Sequence, residues 1–269
     1  MGGPSKPGDV YGAPGQGNSV LISMATVLVI IGAWWYVTAT GIVAPLFLPG
    51  PGAVVDSFFE VATEGFGGAT LWEHTWVSLY RVFSAFLLAC VTAIPIGVLM
   101  GVNRVMRGIF DPPIEFYRPI PPLAYLPLVI IWAGIEDFSK ILLIFLAVFA
   151  PMALNARAGV RSVSVEQIHA AYSLGASRWQ VLIYVVLPGA LPEIITGMRI
   201  GIGFGWTTLV AAEMVAATAG LGYMVLNASN FMVTNVVVLG IIVMGAVAYV
   251  FDLFMRWLEH TLVPWKGKV

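Results

Sequence analysis

The segment "VEQIHAAYSLGASRWQVLIYVVLP", residues 165–188, is a polar insertion between two long apolar stretches. It contains two helix-start signals of the same kind. Ser164 stands three residues before Gln167, and Ser177 stands three residues before Gln180. In an S-x-x-Q capping box, the hydroxyl and the amide satisfy free backbone groups of the first helical turn. The pattern therefore predicts two helix starts close together.

Gly175 stands between these two starts and is suited to the left-handed conformation that ends many helices. Pro188 has no N–H and clashes with the preceding turn, so it predicts a kink or a boundary where the chain re-enters the membrane. Residues 164–187 are thus interpreted as two short helices that meet at Gly175. Such a pair is either a docking surface for another protein or a capped connection without a partner.

The rest of the composition indicates a membrane protein. The chain is 59% hydrophobic and 10% charged, with a mean hydropathy of +0.91, outside the range of ordinary soluble domains. A charge at mid-bilayer costs about 2.5–3.5 kcal/mol, so gaps between charges mark spans, each needing about 20 residues. The sequence predicts an all-α membrane protein of about six transmembrane helices, at 20–44, 77–102, 115–135, 139–160, 187–213 and 236–257.

The distribution of Lys and Arg predicts the orientation. With a cytoplasmic N-terminus, only Arg81 and Lys140 remain on the outer side, and this bias places both termini inside. Residues 1–19 are rich in Gly and Pro and are expected to form a disordered cytoplasmic tail. A second cytoplasmic tail is expected at 263–269, with the transmembrane domain at 20–262. The net charge of −1 gives no indication of nucleic-acid binding.

The string "HAAYSLGASRWQVLIYVVLP" (169–188) resembles the EAA loop of ABC-importer permeases, which has Glu-Ala-Ala, then Gly four residues after the second Ala, then an apolar run ending in Leu-Pro. His169 departs from the Glu that many members carry. Six positions are in register: Ala170, Ala171, Gly175, Val185, Leu187 and Pro188.

Similarity to the taurine, alkanesulfonate, nitrate and bicarbonate group of these permeases extends over nearly the whole chain from about Trp34. It is carried by "YRPIPPLAYLPLVIIWAGI" (117–135), "SKILLIFLAVFAP" (139–151), "LPGALPEIITGMRIGIGFGWTTLVAAEM" (187–214) and "PWKGKV" (264–269). Within the group the chain looks most like taurine permeases.

The resemblance implies a type I ABC importer permease fold in the bacterial cytoplasmic (inner) membrane. Two permease copies would pair with two ATPase subunits, and a periplasmic or extracellular binding protein would deliver taurine or a related small sulfonate. The chain has no G-x-x-x-x-G-K-[ST] phosphate loop. We therefore expect a non-catalytic subunit without a cofactor or metal of its own, with ATP and Mg²⁺ held by the partner ATPase and transport by alternating access. Permeases for nitrate, bicarbonate or alkanesulfonates have similar sequences, so these substrates remain alternatives to taurine.

In such permeases the EAA helices are coupling helices that lie in a groove of the ATPase. Carried onto this chain, the resemblance predicts ATPase contacts at Glu166, Gln167, His169, Ala170, Ala171, Gly175, Ala176 and Ser177.

The proline-rich stretch "FDPPIEFYRPIPPLAYLP" (110–127) has too many prolines for a regular helix. The third span is therefore expected to enter the membrane broken. Non-helical backbone at membrane depth is tolerated only against protein or a water-filled path, so this segment is either a pathway wall or a cytoplasmic elbow. Arg118 within it is either an interfacial anchor or a substrate ligand.

Polar residues of the fifth span are the other candidates for the path. Arg199 would either attract an anionic headgroup or form an ion pair with Glu115 or Glu193. The glycines around it let helices approach closely and can form a symmetric dimer seam. The candidate path residues are Arg118, Arg199, Trp206, Thr207, Thr208 and Glu213, and the last four are also compatible with ordinary packing or ion pairing.

Three rival classes remain open from the residues alone. A gradient-driven carrier could use Glu193, Arg199 and Glu213 as a proton relay. An intramembrane enzyme would need a paired nucleophile and base or metal-ligand spacing, and no span contains either. The third rival is a structural membrane scaffold.

Overall fold

The computed structural model describes residues 20–264, so the predicted tail at 1–19 and all but the first two residues of the tail at 263–269 lie outside the described residues. Within 20–264 the chain is helical and contains no β-strand. The eleven α-helices of this range are α1 Val20–Ala39, α2 Pro51–Thr63, α3 Leu71–Val102, α4 Arg104–Tyr117, α5 Pro122–Ala133, α6 Asp137–Ser162, α7 Val165–Ser173, α8 Arg178–Val181, α9 Leu187–Ala216, α10 Leu221–Asn230 and α11 Thr234–Leu262.

Five helical segments between residues 20 and 264 are long and apolar enough to cross a membrane. They are α1, α3, α6, the continuous segment Arg178–Ala216 that contains α9, and α11. These helices confirm the all-α membrane fold and overlap five of the six predicted spans. The predicted span 115–135 is represented only by α5, an apolar helix of 12 residues, about 18 Å long at 1.5 Å per residue.

The third span was therefore predicted too long, and the reason lies in the prolines. Its first residues belong to α4, an amphipathic helix that runs through Pro112 and Pro113 and ends at Tyr117. The expectation that prolines would make this region irregular was wrong for α4. The chain breaks only at 118–121, where Pro119 and Pro121 remove N–H groups.

The centre of the bundle is α6, which packs against α3 on one side and α9 on the other. Small residues allow the close approach. A Cβ at Gly97 of α3 would clash with the backbone oxygen of Ala153, and one at Gly197 of α9 would lie 2.6 Å from the Cβ of Asn155. The close approach predicted for the glycines around Arg199 thus occurs within one chain, between α9 and α6. Gly201 and Gly205 also lie against α6.

A second apolar cluster forms where α2, α10 and the beginning of α11 meet, around Leu221 and Met224. The bundle consequently has two distinct ends, one at α10 and one at α7. Helix α1 lies at the periphery, and none of its membrane-length segment is buried in the protein. Its apolar side chains are free to contact lipid.

The polar insertion enters α9 without a boundary. Helix α8 continues through a π-helical turn, Leu182–Val186, directly into α9, so Pro188 is the second residue of α9. Pro188 has no N–H and cannot donate to the carbonyl four residues earlier. The helical hydrogen bonds just before it follow the π pattern, in which the N–H of Leu187 donates to the carbonyl of Leu182, five residues earlier. The predicted kink or boundary at Pro188 is replaced by this turn, and the second short helix is the beginning of a membrane helix.

Candidate coupling surface and transport path

Both predicted helix starts are present in the polar insertion. The Ser177 hydroxyl accepts a hydrogen bond from the Gln180 N–H at 3.4 Å, and the Ser177 N–H donates to the Gln180 side chain at 2.7 Å. At the first start, the Ser164 hydroxyl accepts from the Gln167 N–H at 3.3 Å, and the reciprocal bond is not formed. The first capping box is therefore only half made.

Gly175 ends α7 in the left-handed conformation that its sequence position predicted, with φ of +83°. Its N–H donates to the carbonyl of Tyr172 at 2.9 Å, and the N–H of Ala176 donates to the carbonyl of Ala171 at 3.1 Å. These two bonds form the Schellman motif, which satisfies carbonyls that the helix end leaves free. The turn between α7 and α8 is thereby fixed by backbone geometry.

One side of α7 holds the element to the bundle. Ile168, Ala171 and Ala176 are partly buried and pack on an apolar cluster that includes Val98 of α3 and Val160 of α6. The other six predicted coupling residues are exposed: Glu166, Gln167, His169, Ala170, Gly175 and Ser177.

The tip of this element also exposes two apolar side chains that the sequence reasoning did not select. Leu174 is 89% exposed and Trp179 is 73% exposed. These two side chains add apolar area to the exposed face of the element, and contiguous exposed apolar patches mark contact surfaces. The signal was present in the sequence, since both residues flank Gly175 at the predicted turn.

At the α10 end of the bundle lies a buried ionic cluster. Arg81 of α3 donates from Nη1 to Glu213 Oε1 at 2.8 Å and from Nη2 to Asp137 Oδ1 at 2.6 Å. Its Nη1 also donates to the carbonyl of Ala219 at 2.7 Å. Glu213 has no solvent-exposed surface, so this one guanidinium joins α3, α6, α9 and the segment before α10.

The same cluster caps the N-terminus of α10, with three successive N–H groups each bound by a different side chain. Gly220 N–H donates to His74 Nδ1 at 3.0 Å, Leu221 N–H to the Ser78 hydroxyl at 2.9 Å, and Gly222 N–H to Glu213 Oε2 at 2.9 Å. These acceptors satisfy the groups that a helix start leaves free.

Because Nδ1 of His74 accepts a hydrogen bond, its proton is assigned to Nε2, which donates to the carbonyl of Phe66 at 2.8 Å. Sequence reasoning assigned no chemistry to this residue. A signal was available, since His74, Ser78 and Arg81 recur on one face of an apolar helix.

Arg199 is paired with α11 and not with Glu115 or Glu193. Its Nη2 lies 3.2 Å from Asp252 Oδ1, and its Nη1 lies 3.0 Å from Glu259 Oε2. The ion-pair alternative is thus realised with two partners that the sequence reasoning did not name. Asp252 lies in the predicted span 236–257 and Glu259 lies just after it. Both are more than 50 residues from Arg199 in the sequence, so no local pattern indicated the pairing.

The remaining candidates on α9 have different surroundings. Thr207 is exposed and its hydroxyl donates to the carbonyl of Phe204 at 2.9 Å, whereas Thr208 is buried. The Trp206 indole N–H is buried and has no hydrogen-bond partner among residues 20–264. The structure therefore does not gather these residues with Arg199 and Glu213 into one site, and their role in transport stays a prediction.

A cavity of about 580 Å³ lies between the 118–121 break, α6 and α9. Its wall includes the Arg118 side chain, two tyrosines, Tyr117 and Tyr125, and Asn155 of α6. This volume is within the range of small-molecule sites, about 300–1,000 Å³. Of the six predicted path residues, Arg118 alone lines it.

Comparisons with known proteins agree on the type of protein. Residues 93–263 match the family described as "Binding-protein-dependent transport system inner membrane component". The taurine transport system permease protein TauC of Escherichia coli is 53% identical over 253 residues, covering 94% of this chain and 92% of the relative. The bicarbonate transport system permease protein CmpB of Synechococcus elongatus is 31% identical over 258 residues, covering 91% and 90%.

A solved structure shares the fold. A chain of the MetNI methionine ABC transporter, in an inward-facing conformation, superposes with a TM-score of 0.58 at 18% identity. The match covers 71% of this chain and 95% of that chain. The expected importer-permease fold is thereby confirmed.

Proposed function

This chain belongs to the family of binding-protein-dependent transport system inner membrane components, and we propose that it moves taurine or a related small sulfonate across the bacterial cytoplasmic membrane. The observation that carries the proposal is the 53% identity to a taurine permease over 94% of the chain. Identity of this extent covers the coupling element, the broken third segment and the long membrane helices alike.

The exposed face of α7 supports a role in receiving work from an ATPase. The element is fixed to α3 and α6 by its buried side and by the Schellman motif at Gly175, so a force on the exposed side is transmitted to the bundle. In the proposed assembly two copies of this chain pair with two ATPase subunits. ATP and Mg²⁺ bind to the ATPase, and this chain hydrolyses nothing.

The proposed cycle is alternating access. An extracytoplasmic binding protein delivers substrate at the α10 end, and the α7 end faces the cytoplasm together with both termini. The excess of Lys and Arg on the α7 side supports this orientation. The apolar surface of α1 and the other long helices contacts membrane lipid.

The same machinery could serve another small anion, such as nitrate, bicarbonate or an alkanesulfonate. The bicarbonate permease at 31% identity keeps this alternative open. A gradient-driven carrier has less support, because Arg199 pairs with α11 whereas Glu213 pairs with Arg81. Two residues of the suggested proton relay thus lie in separate ionic clusters.

The test is reconstitution of the chain with its ATPase and binding protein in lipid vesicles. We expect taurine, presented with the binding protein, to stimulate ATP hydrolysis and to accumulate in the vesicles only when ATP is supplied. Stimulation by nitrate or bicarbonate and not by taurine would redirect the substrate assignment. Uptake that continues without ATP and stops with an uncoupler would refute the ATP-driven mechanism.

A further inference from the structure

The break at 118–121 has no spare backbone hydrogen-bond donor for the cavity beside it. Pro119, Pro121 and Pro122 have no N–H, and all three line the cavity. The N–H of Arg118 donates to the carbonyl of Ile114, and that of Ile120 donates to the carbonyl of Tyr117, each at 3.0 Å. Between Arg118 and Pro122 the backbone therefore has no free N–H to offer a ligand, and its hydrogen-bonding groups there are carbonyl oxygens.

The opposite wall, on α6, has the same character. Ala147, Pro151 and Asn155 follow one another at intervals of four residues and all line the cavity. Pro151 cannot donate to the carbonyl of Ala147. Asn155 donates one amide N–H to the carbonyl of Pro151 at 2.7 Å, so its side-chain oxygen and its second N–H remain available beside the cavity.

Aromatic rings of Tyr117, Tyr125 and Phe204 also line the cavity. Apart from Arg118 and Asn155, the rest of the lining is aliphatic. Ring faces and carbonyl oxygens both attract cations, and an ammonium group can donate three hydrogen bonds. Apart from Arg118, these surroundings favour the positive end of a ligand.

Arg118 adds a positive charge to the same wall, and this charge favours an anionic group of the ligand. Among residues 20–264 it is the one charged residue that lines the cavity. Its pairing is weak, because the nearest carboxylate, that of Glu115, lies 3.4 Å away and both side chains are about half exposed, at 54% and 44%. The guanidinium is therefore able to turn toward an anionic group without breaking a buried ion pair.

We propose that this cavity binds the transported molecule during passage, and that it selects a small zwitterion whose anionic group contacts Arg118 and whose ammonium group lies among the carbonyls and aromatic rings. The inference rests on the proposed transport function and sharpens it. The permease itself then discriminates an aminosulfonate such as taurine from an alkanesulfonate of equal length, independently of the binding protein.

The experiment uses the complex of this chain with its ATPase in lipid nanodiscs, without the binding protein. Cys90 is the chain's only cysteine, so Ala147→Cys in a Cys90→Ala background places one reporter thiol in the cavity. We expect taurine to slow its modification by N-ethylmaleimide, about twofold when taurine equals its dissociation constant. Ethanesulfonate, which lacks the ammonium group, should protect less at the same concentration.

Two Arg118 variants test the role of its charge, and an Arg104 variant and a second reporter position serve as controls. Arg118→Gln should require at least about tenfold more taurine for the same protection, and Arg118→Lys should be intermediate. Arg104→Gln removes an exposed arginine outside the cavity. In this variant taurine should protect the cavity thiol as well as it does in the parent. A reporter at Val105, 64% exposed on α4, should be unaffected by either ligand.

Two results would overturn the proposal. The first is uptake of taurine by the full vesicle system with no protection of the cavity thiol at any taurine concentration. The second is equal protection by taurine and ethanesulfonate, and neither comparison depends on an Arg118 variant being folded. If the vesicle system instead transports another anion and not taurine, the proposed function fails, and that result is distinct from the other two.

Discussion

Arg81 Nη1 lies 2.8 Å from Glu213 Oε1, and this ion pair joins two residues that are 132 positions apart in the chain. Both side chains are almost fully buried, with 4% and 0% of their surface exposed. The pair is completed by Asp137 and by the Gly222 N–H at the start of α10. It therefore holds together four elements at the end of the bundle opposite α7.

Replacing Arg81 with Met should strongly destabilise the protein. The change leaves the buried Glu213 carboxyl group without its cation, and breaking a buried pair in this way costs about 3–5 kcal/mol. Glu213→Gln should cost less, because an amide oxygen can still accept from the Gly222 N–H. The midpoint of thermal unfolding of the purified protein in nanodiscs measures both changes.

Arg256→Met is the matched control for this prediction. Arg256 is 62% exposed and pairs with Asp252 one helical turn away, and exposed pairs of this kind contribute little. The unfolding midpoint should barely change. An equal decrease of the unfolding midpoint in the Arg81 and Arg256 variants would show that the buried cluster has no special role in stability.

Gly175→Val should uncouple transport while leaving the protein inserted in the membrane. No atom lies within 4 Å of the added Cβ, so the change strains the backbone and does not create a clash. A left-handed conformation costs about 1–2 kcal/mol for a non-glycine residue, and a β-branched side chain is particularly unsuited to it. The turn between α7 and α8 should therefore shift, and ATP-driven taurine uptake should fall about 5- to 30-fold if that energy is lost from docking.

Gly175→Asn is the control, because asparagine tolerates the left-handed region better than other residues. It should retain more uptake than Gly175→Val at equal amounts of membrane-inserted protein. The two activities to compare are vesicle uptake and ATP hydrolysis by the same complex. Normal uptake by the valine variant would refute the coupling role of this turn.

His169→Glu should be tolerated. His169 is exposed on α7, and the substitution restores the residue that many EAA loops carry at this position. We expect uptake and copurification with the ATPase to stay within about twofold of the parent, less than 0.5 kcal/mol. A severe loss would mean that His169 makes a different contact from the one the resemblance implies.

Gly197→Ala should destabilise the chain through packing of α9 against α6. The added Cβ would lie 2.6 Å from the Cβ of Asn155, and overpacking of this kind costs about 1–3 kcal/mol. Gly245→Ala, where no atom lies within 4 Å, should be neutral or slightly stabilising because alanine favours helix more than glycine. Unfolding midpoints of the two variants in the same lipid are the comparison, and a reversed order would contradict the packing argument.

Local signals in the sequence were sufficient for the two helix starts and the turn within 164–187, and for most spans. The Ser177 box and the left-handed glycine at 175 depend on groups a few residues apart, so their geometry follows from local chemistry. Charge spacing located five of the long helices for a similar reason, since each apolar segment meets lipid on its own. The third span was predicted too long because the position of a break among several prolines depends on which turns are held by neighbouring helices.

The sequence by itself determined that this protein is an all-helical membrane protein with a polar element between its apolar spans, because those properties follow from composition and from local patterns. The permease assignment came from the resemblance of residues 169–188 to the EAA loop. Only the tertiary structure decided which charges meet. It brought Arg81 to Glu213, Arg199 to α11 and Arg118 to a cavity beside Asn155. Their partners come from distant helices, and ion pairing depends on distances of a few ångströms that only the packed bundle sets.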